Sequence, residues 1–423
     1  MKLFRTVLLV GSLPAFLICL IGRLAIDITP YSYSLILAIN IYMLLKSYNN
    51  SLLFIVSSII LYSNYSVIYA VYYNPLPDNA FTSPINLKSY VVSLNILTLF
   101  NILLLYFIRW EKVKKLPDYN IFVSSERYNG PLVFFYFIAL ILIFFLGFTI
   151  PEEGERGAGS SIYEYSIIIF MFVFYFSGNK RKVLYVNYFF VLMYSLQCFV
   201  FGGRVDGIQF MLCTYLMMFI NVIKKSTLIT MMIIAFVLFS VIGVVRGELL
   251  SGNFEMYSIM KAVAESGFTS DTAYSAYYAS EAIIYMKDAM PDGEVLRLFF
   301  NYLKSIILGG GANEHLSSLS IDYVLHYGGG WFPFYFFFYL GEVGVLISAI
   351  IIALFINLVI KLKPSSSTLI KLSAVWFVTR TFRWYLYSPS PLLRGMLVLI
   401  VVYYMSVVAD NFFKGRSLFK MSY

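Results

Sequence analysis

Long apolar runs recur along this chain, separated by short polar connections. Stretches near 6–22, 31–45, 52–72, 90–108, 131–150, 162–177, 184–201, 207–223, 227–245, 337–360, 369–387 and 393–409 are each dominated by apolar residues. A membrane-crossing helix needs about 20 such residues. The runs therefore predict an all-α polytopic membrane protein with about twelve transmembrane helices, the second and sixth being the shortest. The pattern breaks once, at a connection over 246–336 that precedes the last three helices. Within it, "FEMYSIMKAVAES" and "RLFFNYLKSIIL" carry apolar residues at helical spacing, as helices lying on a membrane surface do. Connections of this length are usually functional. The expected organisation is a nine-helix region over 1–245, a large loop over 246–336, and a three-helix region with a short tail over 337–423. No internal repeat is visible, and nine plus three does not resolve into two similar halves.

Composition agrees with the pattern. The chain is 60% hydrophobic, 19% aromatic and 13% charged, with mean hydropathy +0.79, more apolar surface than a soluble domain can hide. A net charge of +9 would suit nucleic acid if it were clustered, but its distribution argues otherwise. With the N-terminus in the cytoplasm and the helices alternating, the cytoplasmic segments hold nineteen of the 31 basic residues and four of the 22 acidic ones. That is the positive-inside bias. It places both termini inside and 246–336 outside, and it implies contact with membrane lipid and not with nucleic acid. Cys19, Cys198 and Cys213 lie in or beside apolar runs without metal-ligand spacing, so they read as small buried hydrophobes. The N-terminal "MKLFRTVLLVGSLPAFLICLIGRLAI" lacks a clean cleavage site and reads as the first span.

The candidate chemistry lies on the outward side. Arg204 sits in "FGGRVDG", Arg246 ends the ninth run, Arg380 and Arg383 lie in "VTRTFRWYLYSPS", and Arg394 opens the twelfth. Arginine within a span is costly and is a functional-site hypothesis by default. A guanidinium stays charged and presents a planar fork to phosphate oxygens, so converging arginines would make a diphosphate clamp. Arg380 and Arg383 would share one helical face. The alternative is interfacial snorkelling, or ion pairing with Asp206 and Glu248.

Both histidines fall in "GGGANEHLSSLSIDYVLHYGGG", between two glycine triplets. If 313–327 were helical, His315, Asp322 and His326 would lie along one face, with Asp322 and His326 in reach of each other. That permits a carboxylate-oriented base or a plain hydrogen-bonded pair. His315, following a glycine turn, is the favoured base, and Glu314 is its rival. No metal is expected, because the two imidazoles would be about 16 Å apart on such a helix. Glu342, near the start of the tenth run, either reaches for interfacial water or balances the arginines. The aromatic runs "FPFYFFFYL" and "AYSAYYAS" read first as interface belts.

Together the many spans, one large outer loop, outward arginines, "FGGRVDGIQF" and "SSLSIDYVLHYGGGWFPFYFFFYLGEVGVLIS" resemble the Wzy-type O-antigen and oligosaccharide repeat-unit polymerases of bacterial inner membranes. The segment "GGGANEHLSS" is also similar to the glycine-rich histidine segment of O-antigen ligases. One departure is visible: arginine-x10-glycine motifs are absent, since Tyr215 and Tyr257 stand eleven residues after Arg204 and Arg246. The resemblance implies a metal-independent and cofactor-free glycosyltransferase of the inner membrane, with 246–336 periplasmic. Its substrates would be undecaprenyl-diphosphate-linked oligosaccharides, and a chain-length regulator and a flippase would be its partners. Arg204, Arg246, Arg380, Arg383 and Arg394 would hold diphosphate, His315 or Glu314 would take the proton, and Asp206, Asp322, His326 and Glu342 would support them. A ligase acting on lipid A core and a lipid-linked oligosaccharide flippase are the competing readings. The long loop and missing two-fold symmetry disfavour the flippase.

Overall fold

The computed structural model describes residues 2–21, 24–76, 80–114, 128–149, 158–178, 180–201, 203–219, 223–250, 255–308 and 315–414. These are almost entirely helical; the two-residue strands Phe148–Thr149 and Ala158–Gly159 form one small antiparallel pair. Each of the twelve expected runs contains helix among its described residues, although 131–150 passes into the strand Phe148–Thr149 and 369–387 is broken at Arg380. Among the described residues seven helices are long and apolar enough to cross a membrane, and three shorter apolar ones cover Gly130–Leu146, Ser161–Phe176 and Thr368–Thr379. The protein is thus an all-α chain with the character of a multi-pass membrane protein.

The chain folds into two compact units built from non-contiguous stretches. Unit 1 takes 1–116, 225–361 and 381–390. It contains α1 (Lys2–Ile21), α2 (Thr29–Ser47), α3 (Ser51–Val67), α4 (Leu87–Phe107), α9 (Lys225–Leu250), α10 (Met256–Glu265), α11 (Asp271–Ala289), α12 (Asp292–Leu308), α13 (Leu316–Leu319), α14 (Phe332–Ile360) and α16 (Thr381–Leu386). Unit 2 takes 117–224, 362–380 and 391–423. It contains α5 (Gly130–Leu146), α6 (Ser161–Phe176), α7 (Arg181–Val200), α8 (Arg204–Thr214), α15 (Thr368–Thr379) and nearly all of α17 (Ser390–Phe413).

Unit 1 is organised around α4, which is buried on most sides against α14, α2, α1 and α11. A helix buried all round must pair its polar side chains, and α4 does so. Asn95 donates to the carbonyls of Leu24 and Ile26, each at 2.8 Å. Asn101 accepts from Asn40 at 3.0 Å and from Asn64 at 3.4 Å, and Tyr385 donates to Asn64 at 3.0 Å. This buried triad ties α2, α3, α4 and α16 together, as interhelical amides do where water is absent. The 246–336 stretch contributes to this interior: α11 is buried along one face by α3, α4 and α14. Its small residues, Ala273, Ala276, Ala279, Ser280 and Ala282, allow that close approach.

Within each unit, connections that alternation assigns to the same side touch one another. In unit 1, Phe81 packs on Tyr278 and Tyr327, Lys88 pairs with Asp288 at 2.6 Å, and the Gly330 amide donates to Leu386 O at 3.1 Å. At the other ends, Arg5 pairs with Glu111 at 2.7 Å and the Arg109 amide donates to Asn357. In unit 2, Lys180 lies over the Tyr128 ring and Asn129 donates to Asp410, whereas Phe148 packs on Phe201.

Candidate functional site

Unit 2 assembles a guanidinium–aromatic cluster from α6, α8, α15 and α17. Where α7 gives way to α8, the Gly203 amide donates to Cys198 O. At Gly207 a side chain would press on the Phe199 ring and Ser195 O, so glycine there brings α8 close to α7. Arg204 and Asp206 stand in the first turn of α8, where a carboxylate is favoured by the helix dipole. Asp206 is buried and Arg204 half-buried. One turn further in, α8 presents the fully buried Gln209.

Arg380 is the centre. Its side chain is fully buried, with one guanidinium nitrogen 2.5 Å from Gln209 Oε1 and another 3.0 Å from Glu164 Oε2. Its guanidinium also lies 5.3 Å from the Trp376 ring, which stacks at 6.0 Å on Tyr165. Arg394 covers Tyr165 at 5.5 Å. The order is therefore Arg394, Tyr165, Trp376, Arg380, two stacked aromatic rings flanked by two cations that their faces attract. Gly395 makes this possible, because a Cβ there would collide with the Trp376 indole.

The cluster holds more donors than acceptors. Arg380 Nε, Gln209 Nε2, Trp376 Nε1 and Thr379 Oγ1 are all buried, and none has a hydrogen-bond partner among the described residues. Orphaned buried donors are rare in folded proteins. Four within one cluster, beside a cation, describe a place suited to an acceptor-rich or anionic group.

The expected pairing of Arg380 with Arg383 on one helix face does not form. The helix breaks at Arg380, whose φ of −88° and ψ of 11° end α15 before α16 begins. Arg383 instead lies 4.8 Å from the Tyr387 ring in unit 1. Glu314 and the side chain of Arg246 lie outside the described residues.

In the histidine segment the helix that would align His315, Asp322 and His326 does not form over the described residues 315–327. Among the described residues the segment holds only the short α13, a 3-10 turn over Ser320–Asp322, and irregular chain to Trp331. Asp322 is exposed and does not meet His326. The Gly328 amide donates to His326 Nδ1 at 2.9 Å, so Nε2 carries the hydrogen and donates to Ser320 Oγ, also at 2.9 Å. Burial pushes this imidazole down to about 4. The reason for the difference is the second glycine triplet. Gly328, Gly329 and Gly330 all have positive φ, from 83° to 148°, a path closed to other residues. That path carries the chain along Ala276 and Leu386. His315 caps the start of α13, half-buried, with Nδ1 2.9 Å from Ser317 Oγ and its ring edge-on to Tyr335. Its Nε2 has no hydrogen-bond partner among the described residues, and burial lowers its basicity. Glu342 follows a kink at Gly341, where φ is 59°, and lies near Lys287.

Sequence reasoning missed Glu164, Gln209, Tyr165 and Trp376. Glu164 carried a signal: it is the one acid in the apolar α6, and a buried acid in such a helix needs a cation partner. It also missed Glu281 on α11, which is 2% exposed and accepts from the Ile85 amide at 2.9 Å and Ser89 Oγ at 2.8 Å. Desolvation raises its pKa to about 7. Comparison with family models, with curated proteins and with solved structures finds no match to this chain.

Proposed function

We propose that this protein polymerises undecaprenyl-diphosphate-linked oligosaccharide repeat units at the periplasmic face of a bacterial inner membrane, as a twelve-span glycosyltransferase with both termini in the cytoplasm. The observation that carries the reading is the donor surplus around Arg380. A diphosphate leaving group offers many acceptor oxygens and gains charge as it departs, and preorganised buried donors stabilise such charge best. In the transfer, an acceptor sugar hydroxyl attacks the anomeric carbon of the lipid-linked glycan. The carbon–oxygen bond to diphosphate breaks, and the diphosphate keeps the electron pair. The hydroxyl proton passes to a base. Arg380 and Arg394, with Arg204 at the head of α8, are assigned to the diphosphate. His315 is assigned to the proton, its Nε2 being uncommitted among the described residues, and Glu314 is the rival. A chain-length regulator and a flippase would act beside it.

The test is extension of a purified lipid-linked repeat unit by the protein alone, paired with a gene deletion. Surface glycan capped at one repeat unit, with no extension by an Arg380→Lys variant, supports the reading. Loss of all attached glycan on deletion points to ligation onto lipid A core, and loss of even the single unit from the outer surface points to a flippase.

A further inference from the structure

Helix α12 has two apolar faces, and only one is used inside the protein. Val295, Leu298 and Tyr302 face inward, in a cluster with Ile283, Leu316, Tyr335 and Phe338. On the opposite side Leu296, Phe300, Leu303 and Ile307 are 56%, 61%, 40% and 72% exposed. Their spacing of four, three and four residues makes one continuous ridge. Arg297 and Lys304, seven apart, are exposed along one flank of it, Arg297 being ion-paired with Glu294 at 2.6 Å. Helix α10 repeats the theme, with Met256 and Met260 exposed at 70% and 65% beside the Lys261–Glu265 pair.

The level of α12 relative to the bilayer follows from α14. The kink at Gly341 leaves 342–360 as a straight run of about 28 Å at 1.5 Å per residue, close to the thickness of the hydrocarbon layer. With 342–360 filling that layer, a shorter crossing than the apolar run 337–360, residues 332–340 would stand at its boundary. α12 packs on this outer part: Phe299 and Tyr302 each lie 5.4 Å from the Tyr339 ring. A helix held level with a membrane boundary, with an outward apolar ridge and a charged flank, fits the lipid interface and not open water.

We infer that α12 is a membrane foot: its Leu296–Phe300–Leu303–Ile307 ridge sits at the boundary between phospholipid headgroups and acyl chains. Leu316 and Tyr335 belong to the same cluster as the inner face, and His315 touches Tyr335. The foot therefore sets the height of His315 near the phosphate layer, where a lipid-linked diphosphate would lie; this last step rests on the function proposed above.

The experiment places single cysteines at Phe300 or Ile307 of the full chain, reconstituted in phosphatidylethanolamine–phosphatidylglycerol vesicles, and labels them with an environment-sensitive fluorophore. Cys19, Cys198 and Cys213 are buried, and unsubstituted protein supplies the background. Each label is expected to lose about half its emission to acyl-brominated lipids and little to aqueous iodide, as for residues 5–10 Å into the interface. Iodide quenching without bromolipid quenching would overturn the foot. So would lipid-independent cross-linking between the same positions of two copies, which would make the ridge a self-association surface. The readout is depth and not glycan length, so a foot that is present in a protein that extends no repeat unit removes the function and leaves the foot.

Discussion

Arg380 in unit 2 and the polar residues His326 and Glu281 in unit 1 are all buried, yet their hydrogen bonds are used in opposite ways. Both ring nitrogens of His326 are spent on its own segment, and Glu281 accepts from the start of α4. Arg380 has partners too, but it and its neighbours keep four buried polar atoms without partners among the described residues. Saturated buried groups hold a fold together. A buried surplus of donors is costly unless something else supplies acceptors. Unpartnered buried polar atoms also occur singly in unit 1, at Trp110 Nε1 and Tyr302 OH among others, so what sets the Arg380 cluster apart is that they sit beside a buried guanidinium, and the proposed function rests on that.

Substitutions can break or sharpen this contrast. The largest effect is expected at Arg380→Ala, which strands Glu164 beside buried aromatics. Removing one partner of a buried ion pair costs about 3–5 kcal/mol, and the value should fall at the low end because Glu164 is 22% exposed. Long glycan should disappear as well. Arg380→Lys should recover much of the stability, read by thermal unfolding in detergent, without recovering chain extension.

Glu281→Gln tests the opposite case. The folded pKa near 7 exceeds the ordinary 4.5, so the folded state binds this proton more tightly than the unfolded chain. Its stabilising protonation is complete below about pH 4.5 and is lost as pH rises through 7. Wild type should lose about 3 kcal/mol between pH 4.5 and 8 through this group. The glutamine variant should lack that component in parallel melting curves.

His326→Ala should cost about 2 kcal/mol, for two lost hydrogen bonds and a small cavity. Its folded pKa of about 4 lies below the ordinary 6.5. The stability it supplies is therefore present above pH 6.5 and declines as pH falls toward 4. Above pH 6.5, unfolding of wild type and variant should differ by a constant amount. The smallest stability effect is expected at Arg394→Ala, about 0.5–1 kcal/mol from the lost contact with Tyr165. A fall in chain extension much larger than that would mark Arg394 as a ligand contact, and unchanged extension would remove it from the site.

Much of the architecture was legible in the chain. Apolar runs of membrane length located helices at all twelve expected places, because a backbone in hydrocarbon must satisfy its own hydrogen bonds. Arg380 was legible for a related reason: a charge in an apolar run cannot be left unpaired. Its partners were less so, since Gln209 lies 171 residues away and Glu164 lies 216 away, and one sequence carries no record of such pairing. In the histidine segment residue spacing alone left the backbone path open, and three consecutive positive-φ glycines take the chain past α11 and α16.

The sequence by itself determined the solvent this protein lives in, the places of its helices, and the residues whose charge would demand explanation. Those properties follow from side-chain transfer energies, which are local. Only the tertiary structure decided that α11 lies in an interior, that Arg380 and Arg383 part company at a helix break, and that Trp376 and Tyr165 stand between two guanidiniums. Those depend on which helices meet, and packing energy belongs to pairs of surfaces, so no single stretch of chain contains it.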